Sequence, residues 1–272
     1  MIPLFSKPKV ISEKENQAVF EIESLYPGYG VTIGNSLRRV LLSSLPGAAI
    51  TKMKIKGNNA VIPHEFSTIP GVFEDVIQIM LNLKKLRFKV FSDEPQQAVL
   101  KAKGENDVKG KDFQMSSQLE LMNKNEHIAS LTDKKADLEI EIEVEKGIGY
   151  IPRENRKRGK LGIGEILLDA IYTPVKRVGY QVESMRVGER TDFDKLIMEV
   201  QTDGTITPQT AVSQAAQILL DHFSLINQSF ITDGADISLD IEPEEKPKKK
   251  KAAIGAKAKK IAKSKKAKPK KK

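Results

Sequence analysis

The chain has 272 residues, no cysteine, and three widely separated histidines, His64, His127 and His222, so disulfides and thiolate metal sites are excluded and a histidine metal cluster is disfavoured. Its formal charge of +9 is uneven: residues 246–272 carry fifteen lysines and no acid, which leaves 30 basic against 36 acidic side chains, a net of −6, in residues 1–245. The basicity is a property of the tail, no stretch approaches the roughly 18 apolar residues of a membrane span, and Met1 to Lys7 lacks the apolar core of a signal peptide, so a soluble, cytoplasmic chain without membrane contact is expected.

Apolar and polar residues alternate over Ala18–Glu23 and Lys52–Lys56, as in half-buried strands. Between them, a glycine-punctuated turn, Gly28-Tyr29-Gly30, feeds a short helix ending near Pro46-Gly47. At roughly 100° per residue, Leu37, Val40, Leu41, Ser44 and Leu45 share one arc and face inward. Arg39 points away from that arc, and Leu42 lies one step round from it. A leucine beside an arginine on an outward face suits a partner site; taken alone, the pair also fits a solvated arginine and a stray surface leucine. Residues 71–83 read as a second helix, with Val72, Val76, Ile79, Met80 and Leu83 inward and Glu74, Asp75, Gln78 and Asn82 outward.

Further strands are expected near 87–91, 98–102, 178–184 and 195–201, and the cleanest is Leu138–Glu145, with apolar residues on one face and glutamates on the other. The last long helix begins at Thr207-Pro208, an N-cap followed by proline at the first helical position. Val212, Ala215, Ala216, Leu219, Phe223, Ile226 and Phe230 make one stripe, and Ala211, Ile218, Leu220 and Leu225 are apolar beside it. Such a helix is buried on two sides, one by its own sheet and one by a second chain, unless its own domain encloses it wholly. The mixture gives an α+β class. After Asp240 the composition turns to lysine, alanine and proline, which predicts a disordered tail.

No motif for chemistry emerges. Gly28-Tyr29-Gly30-Val31-Thr32-Ile33-Gly34 looks like a phosphate-cradling turn, but its spacing is one residue too long for a dinucleotide site, and no acid for a ribose lies near Thr51–Lys54. These glycines are expected to serve a tight turn and close packing. Asp192 and Asp194 are the nearest approach to a magnesium site, and Arg190 and Lys195 flank them as neutralising cations. The basic loop Arg153–Lys160 fits a solvated loop or a contact with phosphates or an acidic partner. No catalytic residue and no metal ligand is assigned.

The run from Gly30-Val31-Thr32-Ile33-Gly34-Asn35 through Leu37-Arg38-Arg39 to Leu41-Leu42-Ser43-Ser44 and Pro46-Gly47 resembles the assembly helix of bacterial RNA polymerase alpha subunits. The resemblance continues in order through Gly71–Val76, Leu81–Lys84, Gly147–Pro152, Leu168–Val175 and Val187–Leu196. It implies a discontinuous dimerisation domain, residues 1–46 and 175–235, with residues 47–174 inserted as a second domain and 236–272 as a lysine-rich tail. It also implies a homodimer that recruits the beta and beta-prime subunits for transcription. The chain would then be a non-catalytic subunit of a nucleotidyltransferase, with no cofactor of its own and the magnesium on beta-prime. By position in the motif, Arg39, Leu42 and Arg38 correspond to the beta contact, and Lys84 and Arg190 to the beta-prime contact. Val212, Ala216, Leu219, Phe223 and Ile226 correspond to the dimer helix. The tail departs from the family, most of whose members continue into a small helical C-terminal domain. Fifteen lysines favour DNA through counterion release, so a stand-alone basic-tailed DNA-binding protein is the alternative reading.

Overall fold

The computed structural model of the chain describes residues 4–58, 60–156 and 162–230. The expected lysine tail, residues 231–235 of the expected dimerisation segment and residues 157–160 of the basic loop lie outside the described residues. In chain order, β1 (Lys9–Lys14) and β2 (Gln17–Leu25) precede α1 (Tyr29–Ser43), and β3 (Pro46–Gly57) and the short β4 (Ala60–Val61) lead to α2 (Val76–Lys85). Then come β5 (Phe88–Val90), β6 (Gln96–Lys103), β7 (Asn106–Lys109), β8 (Phe113–Met115), β9 (Leu119–Leu121) and β10 (His127–Leu131). They are followed by β11 (Asp137–Ile148), β12 (Tyr150–Ile151), β13 (Glu165–Leu167) and β14 (Ala170–Ile171). The hairpin of β15 (Val175–Val187) and β16 (Arg190–Thr202) closes the strands, and α3 (Pro208–Phe230) follows.

The fold is α+β, as the patterning predicts. A four-stranded antiparallel sheet, ordered β1-β2-β16-β15, unites the two ends of the described chain. A larger sheet, ordered β13-β3-β11-β6-β8 with β4 paired to β3, is built from the middle. The apolar side chains form separate clusters. One packs Phe20, Ile22 and Leu25 of β2 and Leu196, Met198 and Val200 of β16 under Leu37, Leu41 and Leu45. Another packs Ile79 and Leu83 of α2 onto Met53, Ile55, Leu100, Leu138 and Ile140 of the larger sheet.

Strand β11 shows how sequence makes this geometry. Leu138, Ile140, Ile142 and Val144 are buried, and the intervening glutamates face water, where lysines of the neighbouring strands meet them. Lys56 Nζ lies 3.2 Å from Glu139 and 2.6 Å from Glu141, and Lys52 Nζ lies 2.8 Å from Glu143. These cross-strand pairs fix register, and being partly solvated each contributes little net stability.

Three local expectations change. The strands expected at 178–184 and 195–201 are the middles of one longer hairpin, whose ends are less regularly alternating. The second helix starts at Val76, not residue 71, because the Asp75 carboxylate caps it, accepting the Gln78 N–H at 2.7 Å. Glu74 is therefore outside the helix and buried, not outward. The third change concerns the glycine turn: α1 already begins at Tyr29, so Gly30 and Gly34 lie within the helix, and only Gly28, at φ 85°, forms its left-handed entry.

A second glycine pair holds the crossing of β3 and β11. Gly47 and Gly147 face each other in register, and buried Tyr172 lies across them. A Cβ on Gly147 would sit 2.6 Å from the Tyr172 ring, and one on Gly47 would sit 1.8 Å from the Tyr172 carbonyl oxygen. Because the obstacle at Gly47 is backbone, it cannot swing aside. Gly47→Ala should lower stability by about 3 kcal/mol or more, read as a drop in the urea or thermal unfolding midpoint.

Candidate functional site

Helix α1 is pinned from both ends of its inner face. The Asp194 carboxylate, carried on β16, accepts the backbone N–H groups of Gly28 at 2.9 Å and Gly30 at 3.0 Å, placing negative charge at the helix N-terminus. Lys195, expected as its neutralising neighbour, instead pairs with Glu21 at 3.0 Å and Glu183 at 3.6 Å across the sheet. Gly30 and Gly34 then let the helix lie directly on the hairpin. Side chains there would meet Val182 Cγ1 at 2.7 Å and Tyr180 Cδ2 at 2.9 Å. Leu37 and Leu41 complete the inner face, and Leu45 packs just beyond the helix end, each buried, at roughly 2 kcal/mol apiece.

That seating leaves one face outward. Arg38 and Arg39 are exposed, and among the described residues neither guanidinium has an ion-pair partner. Leu42 is 37% exposed and lies one helical turn on from Arg39. The structure thus brings Arg38, Arg39 and Leu42 onto one solvent-facing surface, two free cations and an apolar side chain.

Lys84 sits differently. It occupies the last turn of α2, and its ammonium is already paired with Asp169 Oδ2 at 3.0 Å. Asp169 Oδ1 also accepts the Arg153 backbone N–H at 3.0 Å. The Arg153 N–H first, and then the Lys84 ammonium, hold the Asp169 carboxyl below its ordinary value despite partial burial. Arg190 lies at the tip of the β15–β16 hairpin, forked onto Asp192 at 2.6 and 3.0 Å and stacked over Tyr26 and Phe193. No hydrogen bond or ion pair joins Arg190 to Lys84 among the described residues.

Along α3, Thr207 Oγ1 accepts the Thr210 N–H at 3.2 Å, which is the expected cap. The innermost residues are Ala211 and Ala215, and Val212, Ala216 and Leu219 are half-buried against the first cluster. The burial stripe is therefore displaced from the one read in the sequence, because small Ala211, placed off it there, faces the sheet. Phe223 and Ile226 are both more than half exposed, and Leu220 and Leu225 are exposed beside them. From Val212 to Ile226 the helix passes from its own core into open solvent without losing its apolar character.

One cluster escaped the sequence reading. The Glu74 carboxylate accepts the Ser130 N–H at 2.7 Å and meets His127 Nε2 at 2.7 Å, and His127 Nδ1 lies 2.9 Å from Asp107. Burial alone would push the Glu74 carboxyl up, and the hydrogen bonds from Ser130 and His127 outweigh it and hold it low. These groups come from distant segments, so no local spacing could reveal them. They brace α2 against β10. Among the described residues, no three histidine, aspartate or glutamate side chains are grouped to hold a metal, and no helix is long and apolar enough to cross a membrane. The described part of the basic loop is tethered inward, Arg153 to Glu65 at 3.0 Å and Arg156 to Glu145 at 3.1 Å.

An inserted β-rich body held beside a sheet with one glycine-seated helix defines a class. Residues 53–173 match the RNA polymerase Rpb3/RpoA insert domain. The chain is 46% identical over 241 residues to the DNA-directed RNA polymerase subunit alpha of Roseiflexus sp. (strain RS-1), spanning 89% of this chain and 71% of that one. It is 47% identical over 234 residues to the same subunit of Symbiobacterium thermophilum, spanning 85% and 72%, and 45% identical over 245 residues to that of Carboxydothermus hydrogenoformans, spanning 89% and 77%. The chain belongs to the family of DNA-directed RNA polymerase alpha subunits.

The Asp169 arrangement has a signed pH dependence. Its folded-state pKa is depressed, so its contribution to stability is present at neutral pH and is lost as pH falls through the folded value. The stability gap between wild type and Asp169→Asn should close as the solution is taken from about pH 6 to below about pH 4, followed by chemical denaturation at each pH.

Proposed function

We propose that this chain is the assembly platform of a bacterial-type RNA polymerase, a non-catalytic subunit acting in the cytoplasm at the nucleoid. In this reading two copies dimerise, Arg39 with Leu42 and Arg38 docks the beta subunit, and Lys84 with Arg190 serves beta-prime, which carries the catalytic magnesium. Residues 1–46 and 175–235 make the dimerisation domain, and 47–174 the insert. The observation that carries the proposal is the outward face of α1: two arginines without counter-ions among the described residues, beside a half-exposed leucine, on a helix whose other face is locked by Asp194, Gly30 and Gly34. A rigid, unneutralised cation pair favours a carboxylate-bearing partner. The exposed apolar run through Phe223 and Ile226 supports a second copy as the other partner of α3. An isologous dimer gives both protomers the same surfaces, so a second recruitment must use what the first leaves open.

Arg39→Ala and Phe223→Asp separate these roles. Co-expressed with the beta subunit of the same genome and weighed by native mass spectrometry, Arg39→Ala should remain a dimer and lose beta, by about 2 kcal/mol or more, roughly thirtyfold in affinity. Phe223→Asp should give a folded monomer, because the charge replaces a side chain exposed in the single chain and buried only by the second copy. Leu219 is a poorer probe, since it also packs on its own sheet. Normal beta capture by Arg39→Ala would remove the central assignment.

The fifteen lysines of residues 246–272 support a further contact, with DNA phosphates through counterion release. Truncation after Glu245 should lower the affinity of the assembled enzyme for nonspecific duplex DNA and flatten the slope of log affinity against log salt. An unchanged slope would dispose of that contact.

A further inference from the structure

Arg87 and Asp203 make, among the described residues, the one ion pair that joins the insert to the smaller sheet. We infer that this pair is a latch: it holds the insert at the angle to the smaller sheet at which the Lys84 corner receives beta-prime. The inference rests on the platform reading above and adds to it a positioning residue, Arg87, which acts through Lys84. The covalent joint by itself sets that angle only loosely. The chain crosses between the two bodies at Pro46-Gly47 and at Thr173-Pro174, and the crossings run side by side. A Cβ on Gly47 would lie 1.8 Å from the Tyr172 carbonyl oxygen and 3.4 Å from Pro174 Cδ. Two adjacent straps make an axis, and the apolar cores on either side of it are separate, so the bodies can rock about it. Thr173 Oγ1, donating to the Leu42 carbonyl at 3.2 Å, steadies the straps against the end of α1. Fixing the angle takes a contact between side chains rooted in different bodies.

Arg87 is rooted in the insert: its N–H donates to Asn123 Oδ1 at 2.8 Å, and its carbonyl accepts the Met122 N–H at 2.9 Å. Asp203 is rooted at the end of β16, where its N–H donates to the Pro174 carbonyl at 2.9 Å beside the second crossing. Its Oδ1 accepts the Thr205 N–H at 2.9 Å and the Thr205 hydroxyl at 2.6 Å. Oδ2 is left to face Arg87 Nε at 3.9 Å, with the Asp203 side chain only 6% exposed. That separation is beyond hydrogen-bond reach, so the contact is charge attraction in a site poor in water. A buried pair of this kind adds little net stability, and what it selects is one arrangement over its alternatives.

Lys84 rides on the same lever. Arg87 follows directly on the end of α2 that carries Lys84, and Lys84, Arg87 and Asp169 line one narrow crevice. A tilt that parts Arg87 from Asp203 therefore displaces the Lys84 corner relative to α1, while α1 itself stays seated on the β15–β16 hairpin through Asp194 and the glycines. Loss of the latch should thus spare the arginine face and penalise the lysine corner.

The chain has no cysteine, so spin labels on Lys134→Cys in the insert and Glu189→Cys at the hairpin tip, both exposed, report one distance by pulsed electron spin resonance. The labelled full-length chain is diluted into unlabelled wild type so that a dimer carries a single labelled protomer. Arg87→Met keeps the aliphatic stem without the charge, and Asp203→Asn keeps the acceptor for Thr205 without the charge. Each should broaden the distance distribution about twofold, and Arg87→Lys, which keeps the charge, should narrow it again. If the uncharged variants leave about a fifth of the chains at the competent angle, capture of beta-prime by the complex of alpha with beta weakens about fivefold, with beta capture as in wild type. An unchanged width in both uncharged variants overturns the latch, whatever the partners do. Broadening with normal beta-prime capture overturns the positioning role of Arg87. A wild-type chain that captures no beta-prime overturns the platform reading, and the width still decides the latch. Asp203→Asn tests the pair from its other side should Arg87→Met fail to fold.

Discussion

The close approach of α1 to the β15–β16 hairpin is the constraint on which the rest depends. Gly30 and Gly34 remove the side chains that would hold the helix away, and Asp194 supplies the charge that fixes its start. Once the helix is seated, the identities of Leu37, Leu41 and Leu45 decide its rotation. That rotation in turn decides that Arg38, Arg39 and Leu42 meet solvent. Packing density makes such seating unforgiving: an added methyl must displace Val182 or Tyr180. The outward face is therefore specified by its opposite face, and by a carboxylate more than 150 residues away in sequence.

Periodicity made much of this legible. The alternation of Leu138–Val144 defined β11, and the 3.6-residue arc of α1 placed Arg39 and Leu42 outward. What sequence could not supply was pairing at a distance. Asp194 read, with Asp192, as the nearest approach to a magnesium site flanked by neutralising cations, because nothing local shows that it reaches Gly28 and Gly30. Glu74 read as an outward helical residue because its partners, Ser130 and His127, arrive from another strand. The start of α2 moved for a related reason: a capping aspartate, Asp75, ends the preceding segment more firmly than the apolar pattern continues it. The family resemblance named Lys84 as a contact, yet only the structure shows that Asp169 already holds it.

The two glycine pairs divide the work. Gly30 and Gly34 belong to the helix and the smaller sheet, while Gly47 and Gly147 belong to the insert and accept Tyr172. Arg87 and Asp203, at 3.9 Å, form a longer-range link between the segment after α2 and the end of β16. The exposed apolar end of α3 contrasts with all of these, because no described residue covers the surface at Phe223 and Ile226.

The internal pairing of Lys84 has an electrical consequence. A cation that carries its own counter-ion gathers little from the surrounding electrolyte and sheds little when covered. Arg38 and Arg39, with no such companion among the described residues, stand in the ionic atmosphere and must exchange it for a partner's charge. Any association through the arginine face would then weaken steeply as salt rises, and one through the lysine corner scarcely at all.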